Sequence, residues 1–404
     1  MSALVEIISN GAAAARDEPP PAGVDNLLSP GAFATARREI ASWSGYQPTP
    51  LVALDALASR LGLAQLHYKD ESRRFGLGSF KALGGAYAVL RVLQRTLVRY
   101  GITEAITAAD LANGAHRAVV SEITFTSATD GNHGRSVAWG ARLFGCRAVI
   151  FIHETVSEGR RDAIAAFGAD VVRTPGNYDA SVRHAFAEAS QHGWHVVQDT
   201  ATATYQEIPA DITQGYGVIA DEIAAQVSAP PTHVIVQTGV GGLAGAICLR
   251  FWQTWAHRRP KFIVLEPTQA ACVAASLGAG SRVDITGDTE TIMAGLACGE
   301  VSLLAWEVLA TGADGAIVID DDWARIGVRQ LANPIGDDPP VVGGECSGGA
   351  VGALLALNAR PNLAATLELN AASRVVIIGT EGATDPAIYR SIVGRSAEEV
   401  MAMG

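Results

Sequence analysis

A lysine between an aromatic residue and a run of small residues is the first candidate for chemistry in this sequence. Lys81 follows Phe80 and precedes Ala82, and the glycine-containing turn Phe75–Gly78 lies just before it. Apolar surroundings disfavour an ammonium ion, so the pKa of such an amine falls. A lysine of this kind can form a Schiff base with an aldehyde cofactor. The alternative is a lysine at a helix start whose amine reaches the solvent.

A glycine-rich loop after an apolar strand, His233–Gln237, is the second candidate. Backbone N–H groups at a strand-to-helix junction can bind a phosphate. The residues of this loop are Thr238, Gly239, Val240, Gly241, Gly242 and Leu243. A dinucleotide site is the competing interpretation, because Glu266 ends the next strand where a ribose-binding acid would stand. The glycine spacing is imperfect for that fingerprint, and a nicotinamide-dependent enzyme has no need of Lys81.

Three further groups stand at the ends of predicted strands, where α/β folds present functional side chains. Asp199 and Thr380 each follow a short apolar strand. The third is a loop that opens a predicted helix, with the sequence Thr129-Asp130-Gly131-Asn132-His133-Gly134. The simpler alternatives are a capping or turn residue for Thr129 and Asp199 and a strand-end Thr380 without a ligand.

Composition limits the class of protein. The 404 residues are 49% hydrophobic and 18% charged, which is typical of a soluble globular protein of two domains. The net charge of −11 argues against nucleic acid or an anionic membrane surface as a partner. We expect neither a transmembrane segment nor a secretory signal. Five cysteines without metal-ligand spacing favour a cytoplasmic protein with no metal site.

Strands alternate with helices along most of the chain, which predicts parallel βαβ units and an α/β fold. We expect an N-terminal arm with a first helix in residues 1–40, loosely ordered up to about residue 29. A large domain is predicted from residues 41–85 and 226–404, with a smaller α/β domain, residues 86–225, inserted. A glycine loop, Gly343–Gly349, is predicted to precede a helix that begins at Ala350.

The segment from Lys69 to Gly85 resembles the cofactor-lysine segment of fold-type II pyridoxal 5'-phosphate (PLP) enzymes, the tryptophan synthase β-like superfamily. Leu77 and Leu83 stand where the serine and threonine dehydratases of that superfamily commonly have Thr and Arg. The chain is instead similar to the diaminopropionate ammonia-lyases, from about residue 40 onward. Further strings that carry this resemblance are Pro48-Thr49-Pro50-Leu51, Gln198-Asp199-Thr200, Met293–Gly299 and Thr380–Pro386. Cys346 departs from it, because a simpler Glu-Ser-Gly is expected there.

The resemblance implies a fold and a set of roles. The fold would be two α/β domains with parallel-rich open sheets flanked by helices and with PLP in the cleft between them. Lys81 would carry the cofactor, the loop from Thr238 to Leu243 would hold its phosphate, and Thr380 would face its pyridine nitrogen. Asn132 would face its phenolic oxygen. The N–H groups predicted to bind the substrate carboxylate belong to Thr129, Gly131, Asn132 and His133.

Asp130 limits the class of substrate that we expect. A carboxylate is electrostatically unfavourable in a loop that should bind another carboxylate. It is favourable if the substrate brings a second cation, such as an amino group on its β-carbon. We therefore expect α,β-elimination of 2,3-diaminopropionate to pyruvate and ammonia. Lys81 and Asp130 would each take the Cα proton of one enantiomer, and Asp199 would support the substrate amine.

Alternatives remain at this stage. A serine/threonine dehydratase, or another β-eliminating PLP lyase, would use the same fold. A nicotinamide-dependent oxidoreductase and a non-catalytic PLP-binding protein are less compatible with Lys81 and two strand-end acids. Cys272 and Cys298 either form a reversible disulfide or remain buried thiols, which a cytoplasmic protein favours. The resemblance suggests a homodimer, and a monovalent cation held by carbonyl groups would leave no sequence signal.

Overall fold

Two parallel-rich sheets form the framework of the fold. The computed structural model describes residues 3–403, apart from the side chain of residue 179. Its strands are β1 (Val5–Ser9), β2 (Leu51–Ala53), β3 (Gln65–Asp70), β4 (Thr124–Ala128), β5 (Arg147–His153), β6 (Asp170–Thr174), β7 (His195–Val196), β8 (His233–Gln237), β9 (Lys261–Pro267), β10 (Gly315–Ile319) and β11 (Arg374–Gly379).

Helices connect and cover these strands. They are α1 (Pro30–Ala41), α2 (Asp55–Arg60), α3 (Lys81–Arg99), α4 (Ala108–Ala112), α5 (Arg117–Val120), α6 (Asn132–Phe144), α7 (Glu158–Ala165), α8 (Tyr178–His192), α9 (Glu207–Gln226), α10 (Gly242–Trp255), α11 (Cys272–Ala279), α12 (Leu303–Gly312), α13 (Asp321–Ala332), α14 (Glu345–Asn358), α15 (Pro361–Thr366), α16 (Pro386–Val393) and α17 (Ala397–Met401). Short 3₁₀ segments are Ala22–Val24, Glu71–Gly76, Ala256–Arg258 and Ala294–Leu296. Within residues 3–403, no helix has the length and apolar composition needed to cross a membrane.

The chain divides into two compact units. Unit 1 contains the chain up to Asn26, the segment Pro48–Ser79 and the chain from Ile219 onward. Unit 2 contains Leu27–Gln47 and Phe80–Val218. A discontinuous larger unit and an inserted smaller one are what the alternation of elements indicates, but the boundaries differ from those predicted. Lys81 belongs to unit 2, and so does the first helix, α1.

Unit 1 is built on a seven-stranded sheet in the order β1-β10-β9-β8-β11-β3-β2. The pairs from β10 to β3 are parallel, whereas β1 and β2 run antiparallel at the two edges. All five residues of β8 are buried, as expected for a central strand covered on both faces. The chain leaves β8 towards β9 on one side, while β11 pairs with β8 on the other. The carboxyl ends of β8 and β11 therefore lie at a topological switch point, where open α/β sheets bind ligands.

The N-terminal arm is more ordered than its composition predicts. Val5–Ser9 forms the edge strand β1, with Val5 opposite Ile319 and Ser9 opposite Gly315. The Asn10 side chain then donates hydrogen bonds to two carbonyl groups that follow α12 or end it, those of Ala313 and Ala310. The physical reason is that the valine and isoleucines of this stretch extend the hydrophobic sheet beyond β10. Residues 1 and 2 of the predicted arm lie outside the described part.

Unit 2 is built on a four-stranded parallel sheet in the order β6-β5-β4-β7. A buried cluster of Ala128, Val149, Phe151 and Ala185 joins this sheet to α8. Helix α6 begins at Asn132, earlier than expected, because the sequence analysis placed residues up to Gly134 in the loop before the helix. The earlier start places Asn132 and His133 in the first turn of the helix.

Candidate active site

The amine of Lys81 lies among a carboxylate and two aromatic rings of unit 2. Its Nζ is 2.7 Å from Asp199 Oδ2, and the side chains of the two residues are 19% and 11% exposed. The ring centroids of Phe80 and Tyr216 lie 5.4 and 5.9 Å from Nζ. These two rings meet edge to face, with centroids 4.8 Å apart. This environment fits the mostly buried amine that the sequence indicates better than it fits a solvated lysine.

Close helix packing fixes the start of α3. A Cβ atom on Gly85 would lie 1.9 Å from Ser136 Oγ of α6, and one on Gly215 of α9 would lie 2.1 Å from the Leu83 carbonyl oxygen. Side chains at these positions would push the helices apart. Gly85 and Gly215 therefore let α6 and α9 reach the first turns of α3, the helix that begins with Lys81.

The charge state of this group follows from its surroundings. Burial raises the pKa of Asp199, but the electrostatic interactions around it, above all with the charge of Lys81, outweigh burial and lower the pKa to about 2. Burial lowers the pKa of His133, so this ring is neutral at pH 7. Its Nε2 donates to the Val197 carbonyl oxygen at 2.9 Å. His133 thus connects α6 to the segment that carries Asp199.

The loop before α6 holds its own shape through Thr129. The hydroxyl oxygen of Thr129 accepts hydrogen bonds from the N–H groups of Gly131, at 2.9 Å, and Gly134, at 3.1 Å. The N–H of Thr129 donates to the Phe151 carbonyl oxygen at 3.0 Å. Gly131 has φ of +152°, a conformation that favours glycine. Two of the four N–H groups predicted to bind the substrate carboxylate, those of Thr129 and Gly131, are therefore already engaged within unit 2.

Asp130 has a partner that the sequence analysis missed. Its Oδ1 lies 2.6 Å from Nε2 of His153, and the Nδ1 of that ring lies 3.0 Å from the Thr155 hydroxyl oxygen. His153 is the last residue of β5, and Ala128 pairs with Phe151 across β4 and β5. Asp130 and His153 each lie two residues beyond that pair. A prediction that β4 and β5 are parallel neighbours would have brought the two together.

The loop after β8 has an uncapped helix beyond it. Helix α10 begins at Gly242, and its N-cap, Gly241, has no side chain that could accept a hydrogen bond from the helix. The hydroxyl of Thr238 donates back to the Val236 carbonyl oxygen at 3.2 Å. A Cβ atom on Gly241, where φ is +99°, would lie 2.7 Å from Ala305 Cβ. The loop therefore requires glycine, and its helix presents N–H groups without a side-chain cap.

The ends of β8 and β11 are linked by one side chain. Nε2 of Gln237, the last residue of β8, donates to the carbonyl oxygens of Ile378, at 2.8 Å, and Cys346, at 2.9 Å. Thr380 follows β11 and is buried, with its hydroxyl 3.5 Å from Ser347 Oγ. The loop after β8 and Thr380 thus belong to the same edge of the unit 1 sheet.

Glu266 does not serve a dinucleotide in this structure. It is fully buried, and its two oxygens accept hydrogen bonds from the N–H groups of Val273, at 2.9 Å, and Ala274, at 2.6 Å. Burial raises its pKa to about 8. A buried carboxyl group whose two oxygens both accept hydrogen bonds from the start of α11 is unsuited to binding a ribose.

All five cysteines are free thiols. Cys272 Sγ lies 3.8 Å from the Gly239 carbonyl oxygen, and a Cβ atom on Gly239 would lie 3.2 Å from Cys298 Sγ. Both thiols therefore flank the same glycine, and their pairing stays a prediction. Across residues 3–403, no cluster of His, Cys, Asp and Glu is arranged to hold a metal ion.

These residues fit PLP. Unit 2 offers one amine beside an ionised carboxylate, which suits an aldehyde. Unit 1 offers an uncapped helix N-terminus after a glycine loop, which suits a phosphate group. The same sheet edge presents the neutral hydroxyl of Thr380, which suits a pyridine ring that is not held protonated by an acid.

Comparisons with known proteins agree with this chemistry. The family of pyridoxal-phosphate dependent enzymes matches residues 43–381. Diaminopropionate ammonia-lyase of Escherichia coli strain K12 is 42% identical over 357 residues, which cover 87% of this chain and 88% of that protein. The crystal structure of holo diaminopropionate ammonia lyase from E. coli has a TM-score of 0.89 at 40% identity and covers 97% of each chain. The structure of that enzyme with D-serine has a TM-score of 0.88 at 38% identity and covers 100% of this chain and 99% of that one.

The fold class, the cofactor and the family predicted from the sequence are confirmed by these matches. The fold is the mixed α/β fold of fold-type II enzymes, with parallel-rich sheets flanked by helices. The family match covers most of the chain, and so does the identity with the ammonia-lyase. This chain therefore belongs to the pyridoxal-phosphate dependent enzymes, among the relatives of diaminopropionate ammonia-lyase.

Proposed function

We propose that this protein is a PLP-dependent ammonia-lyase that converts 2,3-diaminopropionate and water to pyruvate and two molecules of ammonia. The observation that carries this proposal is Asp130, a carboxylate in the loop before α6. A β-amino group on the substrate supplies a cation for this charge, which a substrate with only one amino group lacks. The names of the relatives that share most of this chain support the same substrate.

PLP, when bound, supplies an electron sink that stabilises negative charge at the substrate Cα. Lys81 would hold the cofactor, and the loop from Thr238 to Leu243 would hold its phosphate through backbone N–H groups. Thr380 would meet the pyridine nitrogen through a hydroxyl group. A neutral group at that position leaves elimination better able to compete with transamination.

The substrate would be held by the first turn of α6. We assign the substrate carboxylate to the N–H groups that the resemblance implies, those of Thr129, Gly131, Asn132 and His133. In the structure, the N–H groups of Thr129 and Gly131 donate to acceptors within unit 2. The side chain of Asn132 would face the cofactor's phenolic oxygen. Asp199, whose pKa of about 2 keeps it ionised, would hold the substrate amine once Lys81 has been displaced.

Two groups would act as bases for the two enantiomers. Lys81 would take the Cα proton of the L form, and Asp130 would take that of the D form, from the opposite face. The pair of electrons left on Cα then expels the β-ammonium group, which departs as ammonia. General acid–base assistance of this kind contributes about 10²–10⁴-fold to the rate. Asp130→Asn should therefore lower activity on the D form more than on the L form.

The oligomeric state and the compartment complete the proposal. We propose a homodimer in the cytoplasm, with a small amino acid as the partner molecule. The family resemblance supports the dimer, and the odd, sparse set of five cysteines supports a reducing compartment.

The deciding experiment is an absorbance and activity measurement on the purified holoenzyme. We expect a yellow protein that forms pyruvate from DL-2,3-diaminopropionate, followed with lactate dehydrogenase, far faster than from serine or threonine. A yellow protein that prefers serine or threonine would be a dehydratase, and our account of Asp130 would be wrong. A yellow protein that acts on none of diaminopropionate, serine and threonine would favour a non-catalytic PLP-binding protein instead.

A further inference from the structure

His153, the hydrogen-bond partner of Asp130, has no role in the function proposed above. Its side chain is 16% exposed, and that of Asp130 is 30% exposed. We propose that His153 is a positioning residue that holds Asp130 as a base and thereby determines activity on the D enantiomer. This inference rests on the proposed function, because it assumes that Asp130 removes the Cα proton of the D form.

The hydrogen bonds run in one direction. An ionised carboxylate only accepts hydrogen bonds, so Nε2 of His153 donates to Asp130 Oδ1 across the 2.6 Å contact. A neutral imidazole has one N–H, so Nδ1 must accept, and the Thr155 hydroxyl at 3.0 Å is its donor. Thr155 therefore selects the tautomer of His153 that faces Asp130 with a proton.

Both members of the pair are anchored from other elements of unit 2. Arg160 of α7 donates from Nη1 to the Asp130 carbonyl oxygen at 3.4 Å. Arg173 of β6 donates from Nη1 to the His153 carbonyl oxygen at 3.2 Å. The backbones of the acid and of the histidine are thus each held by an arginine, which leaves the side-chain hydrogen bond to set the rotation of the carboxylate.

The arrangement assigns different tasks to the two oxygens of Asp130. Oδ1 carries the hydrogen bond from His153, which is charge-assisted because it ends on a carboxylate. Oδ2 is the oxygen that takes the Cα proton as the C–H bond breaks and the electron pair stays on Cα. The β-ammonium group departs as ammonia, which then takes this proton from Oδ2 and leaves as ammonium, so that the carboxylate is restored. His153 keeps its own proton throughout.

The test compares enantiomers in matched variants of the holoenzyme. His153→Leu should lower kcat for D-diaminopropionate about 10-fold, with KM within about 2-fold and the L form unchanged within about 2-fold. The isotope effect with D substrate deuterated at Cα should rise, because proton removal becomes slower. His153→Gln, whose amide can donate to the same oxygen, should retain more D activity than His153→Leu. His192→Leu is the control, since that histidine pairs with Glu188 on α8.

The L activity measured on the same sample shows that each variant is folded and loaded with cofactor. Equal losses for both enantiomers, no loss for either, or an unchanged isotope effect would overturn the role of His153 while leaving the proposed function standing. A wild-type enzyme that acts on neither enantiomer would overturn both. A His153→Gln variant as impaired as His153→Leu would contradict the hydrogen bond as the cause.

Discussion

Lys69 and Lys81 each meet a carboxylate at almost the same distance, yet their surroundings differ in every other respect. Lys69 Nζ lies 2.6 Å from Glu222 Oε2, and Lys81 Nζ lies 2.7 Å from Asp199 Oδ2. Lys69 is fully buried, and it also donates to the Thr49 carbonyl oxygen at 2.8 Å and to Gln226 Oε1 at 3.0 Å. Its three donor positions are therefore all used inside unit 1.

The network around Lys69 continues through Arg74. That guanidinium group contacts both Glu222 and Glu71 at 2.8 Å. Two cations and two anions thus balance inside the protein. Lys81, in contrast, lies beside Asp199 and two aromatic rings, and its side chain is still 19% exposed. A lysine–carboxylate distance alone does not separate a structural pair from a reactive one, whereas the burial of the amine and the kind of groups around it do.

Replacing Lys81 should give the largest change in activity. Lys81→Ala should lower the rate at least about 10³-fold, because both the cofactor attachment and one base are lost. The visible absorbance of the bound cofactor should shift or disappear. The chain has three lysines, so borohydride reduction and peptide mass analysis can locate the attachment directly. Lys261→Ala, which removes a pair with Glu368, is the control and should stay active. Attachment of the cofactor at Lys69 would show that Lys69, and not Lys81, is the reactive lysine.

Replacing Lys69 should instead reduce stability. Lys69→Met leaves Glu222 buried with one cation fewer, which should cost about 3–5 kcal/mol in the free energy of unfolding. Urea unfolding followed by fluorescence measures this loss. The double variant Lys69→Met with Glu222→Gln should be less destabilised than the sum of the two single variants, because the charges are removed together. Unchanged stability would show that Lys69 is not part of a structural network.

Asp199 provides a prediction for both activity and pH. Asp199→Asn should lower the rate about 10²-fold while the cofactor stays bound. Because the pKa of Asp199 is about 2 in the folded protein, below its ordinary 3.8, the ionised form stabilises the fold. That contribution, about 2 kcal/mol, is fully present above pH 4 and is lost as the pH falls towards 2. Unfolding measured over this range should show a smaller acid dependence in Asp199→Asn. The same acid dependence in both proteins would contradict the assignment.

The aromatic faces should contribute least. Phe80→Leu keeps an apolar side chain but removes the ring beside Nζ and the edge-to-face contact with Tyr216. We expect the free energy of unfolding to fall by about 1–2 kcal/mol and the rate to fall less than about 10-fold. A loss as large as that of Asp199→Asn would mean that the ring, rather than the carboxylate, dominates the surroundings of Lys81.

The parts of the molecule that could be predicted from the sequence are those with local signals. A few adjacent residues are enough to identify each of these parts: the apolar strands β8 and β11, the glycine loop between β8 and α10, and the lysine motif. Glu222 and His153 do not, because each reaches its partner only after distant elements pack. The pair Asp130–His153 depends on the order of the strands, which a pattern of alternating elements leaves open.

Glycine misled the prediction at α14. Gly343–Gly349 was expected to be a loop, yet the helix begins at Glu345 and includes Gly348 and Gly349. A Cβ atom on Gly348 would lie 2.4 Å from Val328 Cγ2, and one on Gly327 of α13 would lie 1.9 Å from the Gly348 carbonyl oxygen. The glycines let α13 and α14 touch through their backbones. A glycine needed for helix contact looks the same in sequence as a glycine needed for a turn.

The edge strand β1 has a consequence for how the protein behaves when its first residues are lost. β1 pairs antiparallel with one edge of β10, and β9 pairs with the other edge. Without β1, the N–H and C=O groups of Gly315–Ile319 would be open to strands from other molecules. We therefore expect proteolytic removal of the residues before Asn10 to make the protein self-associate and precipitate, even though its catalytic groups stay intact.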